Sequence, residues 1–175
     1  MLEDFDAFLL DHAACERKAS ASALNLVTHY PDRTVLVREL IAFAQEELDH
    51  FARVMAIVQD RGLVPAADEK DLYVRAMLKE VRSGPKSYFL DRLLALGIVE
   101  ARGCERFGLV ADALEPGVLK DFYVDITRSE ARHHGLFVRL AREYFSADEV
   151  GQRLDELLDS EAQIVARLPF RAAVH

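Results

Sequence analysis

Glycine and proline are scarce in this chain, at 8 and 5 of 175 residues. That excludes the many tight turns of a β-sandwich or barrel and favours long, uninterrupted elements. Cysteine is scarcer still. Cys15 and Cys104 cannot build a disulfide framework, and no charged-apolar-small leader opens the chain, so a reducing cytoplasm is the expected location. No apolar run approaches the roughly 20 residues that cross a bilayer, and no membrane partner is expected. Positive charge is in deficit: 22 basic against 30 acidic residues give a net charge of −8. This excludes a protein that grips nucleic acid with its whole surface and leaves only a local basic patch. What the chain does have is 51% apolar residues, in a length that suits one soluble domain, residues 1–175, with a continuous core.

The apolar residues recur at helical spacing. From Asp4 to His29 they are Phe5, Leu9, Ala19, Ala23 and Leu26, and His29-Tyr-Pro-Asp32 ends the pattern. Arg33 to Arg61 carries Leu36, Leu40, Phe43, Val54 and Ile57 before Gly62 and Pro65. Residues 68–82 read as a shorter connecting helix with Asp68 and Glu69 as cap and first-turn acids, ended by Ser83-Gly-Pro85. Two more long helices are predicted over Tyr88–Leu114 and Val118–Tyr144, either side of Glu115-Pro-Gly117. Ser146 with Glu149 forms a capping box for a last helix over 147–167, ended by Pro169. Four long helices, two short turns and one long crossover predict an all-α, ferritin-like four-helix bundle with a short crossover helix and an additional C-terminal helix.

Polar residues interrupt the apolar stripes in register. In the second helix Leu40, Phe43, Glu47, His50, Val54 and Ile57 step by three or four, and in the fifth Phe122, Ile126, Glu130, His133, Phe137 and Leu140 do the same. Each therefore turns an E-x-x-H toward the core. Glu16 lies between Leu9, His12 and Ala19, Ala23 on the first helix, and Glu100 between Leu93, Leu96 and Phe107, Ala111 on the fourth. Buried carboxylates cost several kcal/mol each unless cations compensate, and two divalent metal ions meet that demand. One Glu from each of two helices with E-x-x-H from each of the other two is the ligand pattern of di-metal carboxylate bundles.

Turn distances test the pairing, because helices joined by a tight turn are antiparallel. Glu16 and Glu47 lie 16 and 15 residues from position 32, and Glu100 and Glu130 lie 16 and 14 from position 116. Both pairs are level. A competing reading starts from the likeness of Ala14-Cys-Glu-Arg17 to Gly103-Cys-Glu-Arg106, which nominates Glu105 in place of Glu100. Glu105 is only 11 residues from position 116, about five residues or roughly 7.5 Å out of level. Glu100 is the expected fourth carboxylate, with His12 and Glu105 as residues that support the ligands. His134 is expected to face away or toward a neighbouring helix, Glu46 and Asp49 to point off the seam, and the two thiols to be small buried groups.

Asp11-His-Ala-Ala-Cys-Glu-Arg-Lys-Ala19, Ala44-Gln-Glu-Glu-Leu-Asp-His50, Ile98-Val-Glu-Ala-Arg-Gly-Cys-Glu-Arg-Phe107 and Ser129-Glu-Ala-Arg-His133 together resemble the tRNA methylthio-isopentenyl-adenosine hydroxylase family, from Phe8 to about Leu168. The resemblance implies a non-haem di-iron monooxygenase that hydroxylates the isopentenyl group of a modified adenosine beside the tRNA anticodon. It makes Glu16, Glu47, His50, Glu100, Glu130 and His133 the iron ligands, with dioxygen as co-substrate. Oxygen-rich ligation with only two imidazoles suits iron or manganese better than zinc. No flavin or nicotinamide fingerprint is present, so a separate reductase is the expected electron donor.

Residues 70–92 carry six cations against three acids, which nominates Arg75, Lys79, Arg82 and Lys86 as contacts for tRNA phosphates. The assembly expected is a monomer or small oligomer. The alternatives are a ferritin-like iron-oxidising or storage protein, which would share the ligands, and a peroxidase, which the missing Cys-x-x-Cys module disfavours.

Overall fold

The computed structural model describes residues 4–65, 67 and 70–175. They form six α-helices and, among the described residues, no strand. The chain divides into two compact units, one built from the first helical hairpin with residues 171–174, the other from the remaining helices.

The first unit contains α1 (Phe5–His29) and α2 (Thr34–Asp60). Asp4 starts α1 by accepting a hydrogen bond from the Ala7 amide, satisfying one of the donors that a helix leaves open at its N-terminus. Phe8, Leu9, Leu26, Leu36, Leu40 and Val54 are buried, each worth about 2 kcal/mol of apolar burial. α2 ends in a Schellman motif. The Gly62 amide donates to Gln59 O and the Leu63 amide to Val58 O, and the φ of +70° at Gly62 is why a glycine stands there. The Ser20 hydroxyl donates to Ala44 O at 2.8 Å. These residues are equally far from position 32, which fixes the antiparallel register.

The second unit contains α3 (Leu72–Lys79), α4 (Pro85–Ala113), α5 (Val118–Tyr144) and α6 (Ala147–Arg167). α4 and α5 form the main hairpin, and α3 and α6 pack on each other and on α4. Ser146 caps α6 by accepting from the Glu149 amide, as its capping box predicts.

Two boundaries differ from those read in the sequence. The crossover helix is only eight residues long, and its cap is Asp71, which accepts from the amides of Tyr73 and Val74. Its expected caps, Asp68 and Glu69, lie outside the described residues. Only Tyr73 and Met77 of this helix are buried, while Leu72 and Leu78 stay exposed. α4 begins at Pro85, three residues early, because proline's fixed φ and missing amide suit the first helical position. Among the described residues no helix is long and apolar enough to cross a membrane.

Candidate metal centre

Each hairpin assembles a buried triad of two carboxylates and one imidazole. In the first, Glu16 of α1 meets Glu47 and His50 of α2, with one ligand atom from each inside 4.8 Å of the others. His50 Nδ1 lies 3.6 Å from Glu16 Oε2 and 4.0 Å from Glu47 Oε1. All three side chains are at most 4% exposed. The E-x-x-H spacing puts Glu47 and His50 one turn apart on the core face of α2, and the Ser20–Ala44 register brings Glu16 level with them.

His12, one turn before Glu16, stands with Nε2 2.7 Å from Glu16 Oε1. Burial pushes the Glu16 carboxyl up, but the hydrogen bond with His12, the nearby His50 imidazole and the charge of His12 outweigh it, holding the group well below the usual carboxylate range. Glu16 is thus an anion ready for a cation.

The second triad joins Glu100 of α4 to Glu130 and His133 of α5, again with ligand atoms inside 4.8 Å. His133 Nδ1 is 3.0 Å from Glu130 Oε2 and 3.9 Å from Glu100 Oε2. Two contacts fix this register: Cys104 Sγ donates to Thr127 O at 3.5 Å, and His134 Nδ1 donates to Gly97 O at 2.9 Å. Both join residues nearly equidistant from position 116, which sets Glu100 opposite Glu130.

Glu105 takes no part. It is exposed and pairs with Arg102 on its own helix. The turn distance, rather than the likeness between the two Cys-Glu-Arg segments, predicts which glutamate stands beside Glu130 and His133. His134 turns toward α4, as one of its two expected orientations had it. Glu46 is half-buried, Asp49 is exposed, and the thiols of Cys15 and Cys104 are half-buried rather than buried.

The donor set fits hard divalent metal ions. Each triad offers carboxylate oxygens and an imidazole nitrogen, with no thiolate among them, and two carboxylates balance the charge of one such ion.

Of the candidate phosphate contacts, Arg75 and Lys79 are exposed on α3. Arg82 and Lys86 are engaged within the protein. Arg82 makes a bidentate pair with buried Asp91, which Arg153 also binds, and Lys86 pairs with Glu149. A second buried network escaped the sequence reading: Tyr73 Oη donates to Glu161 at 3.2 Å, and Arg102 donates to the same carboxylate through Nε at 3.0 Å and Nη2 at 2.5 Å. Arg102 stands in the Glu-Ala-Arg block, but nothing local marks a partner 59 residues away.

A family model described as tRNA-(MS[2]IO[6]A)-hydroxylase (MiaE) matches residues 1–175. The chain belongs to this tRNA hydroxylase family. Family members similar to it include the tRNA 2-(methylsulfanyl)-N(6)-isopentenyladenosine(37) hydroxylase of Pseudomonas putida, 29% identical over 164 residues, covering 94% of this chain and 80% of that protein. The enzyme of the same name from Salmonella typhimurium is 31% identical over 170 residues, covering 94% of this chain and 62% of its own length. Among solved structures, Protein 43 with aldehyde deformylating oxygenase activity from Synechococcus is similar, with a TM-score of 0.90 at 31% identity, covering 98% of this chain and 87% of that one. The fold of this chain is accordingly all-α and ferritin-like.

Proposed function

We propose that the chain is a non-haem di-iron monooxygenase that hydroxylates the isopentenyl group of methylthio-isopentenyl-adenosine next to the tRNA anticodon. The observation that carries this reading is the whole-length family match, with both carboxylate–imidazole triads present in the matched chain. In this reading residues 1–175 work as one domain, and each hairpin supplies one triad.

Glu16, Glu47 and His50, with Glu100, Glu130 and His133, would hold two irons. Bound iron would supply the activation of dioxygen that hydroxylation of an unactivated C–H bond requires. The protein's own contribution is positional and electrostatic. The His12 imidazole keeps Glu16 ionised and oriented, as groups that hydrogen-bond a metal ligand do. Burial keeps bulk water from the carboxylates. Electrons would come from a separate reductase, and the working assembly would be a monomer or small oligomer. Arg75 and Lys79 are the part of the crossover patch best placed to meet tRNA phosphate, because Arg82 and Lys86 are engaged by Asp91 and Glu149.

The test is to load the purified chain with ferrous iron without oxygen, then add dioxygen, a reductant and tRNA carrying the isopentenyl group. Nucleosides released from that tRNA are read by mass spectrometry. A gain of one oxygen on the isopentenyl-adenosine supports the reading, and an unchanged nucleoside with two irons bound overturns it. The likeness to the Synechococcus protein motivates a parallel arm with an aldehyde substrate. Conversion of the aldehyde to a product one carbon shorter, with the tRNA untouched, would favour that second reading.

A further inference from the structure

α5 carries its metal-facing carboxylate and histidine on one side and a row of arginines on the other. Arg128, Arg132, Arg139 and Arg142 are all exposed. At about 100° per residue their spacing keeps them within roughly 80° of arc, in a stripe about 21 Å long. Glu130 and His133 project from the opposite side and are buried. From Ile126 to Arg142 the one acid is that buried Glu130; Asp125 and Glu143 flank the stripe at its ends. So strong a local excess of cations runs against the chain's net charge of −8.

Two side chains in this row, Arg132 and Arg139, lean back toward the helix N-terminus. Arg132 Nη1 donates to Arg128 O at 3.2 Å and Nη2 to Ser129 Oγ at 3.0 Å, so its guanidinium points toward the helix N-terminus. Gly135 occupies the middle of the same face. A Cβ there would come within 3.2 Å of Arg139 Nη1, so the Arg139 guanidinium lies back over the gap that glycine leaves. Planar guanidinium forks set end to end along a helix suit the bidentate recognition of successive phosphates, which single ammonium charges match less well.

We propose that the α5 arginine stripe is a docking surface for the phosphate backbone of RNA. The inference rests on the tRNA reading above and assigns that substrate a surface apart from the crossover patch. Phosphate contacts position an RNA without reading its sequence. On the far side of α5, about one helix diameter from the carboxylates, the stripe holds the body of the tRNA while its modified base is presented to the site.

The experiment compares the iron-loaded wild type with a variant in which Arg128, Arg132, Arg139 and Arg142 are all replaced by Gln. A second variant carries Arg75→Gln with Lys79→Gln. Binding of a fluorescent anticodon arm bearing the isopentenyl-adenosine is followed by anisotropy across a range of salt. The stripe variant is expected to bind at least about tenfold more weakly at low salt, with a log–log salt slope shallower by about 0.7 per arginine removed. Circular dichroism and iron content should stay at wild-type values, because all four side chains are exposed. Replacing the same four residues by Lys should restore the slope and only part of the affinity. A stripe variant with wild-type affinity and slope overturns the proposal, as does a loss confined to the α3 variant. A wild type that shows no salt-dependent RNA binding overturns the tRNA reading itself, and the stripe with it.

Discussion

His134 Nδ1 donates to the Gly97 carbonyl at 2.9 Å, one residue after His133 on α5 and three residues before Glu100 on α4. At the same point Gly97 lets the helices close: a Cβ there would lie 3.1 Å from the Cβ of Phe137. The two devices together set the height of Glu100 against Glu130 and His133. Gly97→Ala is therefore expected to destabilise the fold by about 1–3 kcal/mol through overpacking and to lower iron uptake. Gly108→Ala on the same helix is the control, because its Cβ would meet only Thr127 Cγ2 at an ordinary 3.7 Å. Urea unfolding and metal analysis of the pair check this. Equal behaviour of the two variants would show that the close approach does not govern the site.

Asp91 is fully buried and accepts from Arg82 Nε, Nη2 and its backbone amide and from Arg153 Nε and Nη2, at 2.8–3.0 Å. Burial pushes its carboxyl up, and the two arginines outweigh that and hold it below the ordinary aspartate value. A group lowered in the folded state stabilises fully above its unfolded pKa of about 3.9 and loses that contribution as pH falls through the folded value. Asp91→Asn should cost about 3 kcal/mol at neutral pH, since it leaves two guanidinia without their shared anion. Its stability should also fall less steeply than wild type below about pH 4. Chemical unfolding of both proteins across that range gives the answer.

These two relationships mark where the sequence is legible and where it is not. The six ligand candidates, both hairpin registers and the α6 cap follow from spacing, because helical periodicity and turn distance are local rules. Gly97–His134, Asp91–Arg153 and Glu161–Arg102 each join residues 37 to 62 positions apart and leave no periodic trace. In the sequence Asp91 is one more acid in a basic stretch, whereas its burial against Arg82 takes that arginine out of the stretch. The crossover helix is shorter than its sequence predicts for the same reason. Its apolar residues suggested four turns, and tertiary packing uses only Tyr73 and Met77.

Glu161 ties three helices of the second unit by accepting from Tyr73 of α3 and Arg102 of α4. Removing the carboxylate leaves a buried phenol without its acceptor and a largely buried guanidinium with only the exposed Glu105. Glu161→Ala should cost about 3 kcal/mol or more, and Tyr73→Phe, which deletes a single hydrogen bond, about 1 kcal/mol. Calorimetry of the two variants tests the ranking, and a Tyr73→Phe loss as large as that of Glu161→Ala would contradict it.

The most direct test of the central claim is the iron content of each hairpin variant. After anaerobic loading and desalting, the wild type should hold two irons per chain, and a protein with Glu47 and His133 both replaced by Ala should hold fewer and lose hydroxylation. Glu100→Ala should lose iron while Glu105→Ala keeps the wild-type content, because Glu105 is exposed and paired with Arg102. Undiminished two-iron binding after the Glu47 and His133 replacements, or a wild type that takes up no iron, would contradict the proposal that the two triads are iron ligands.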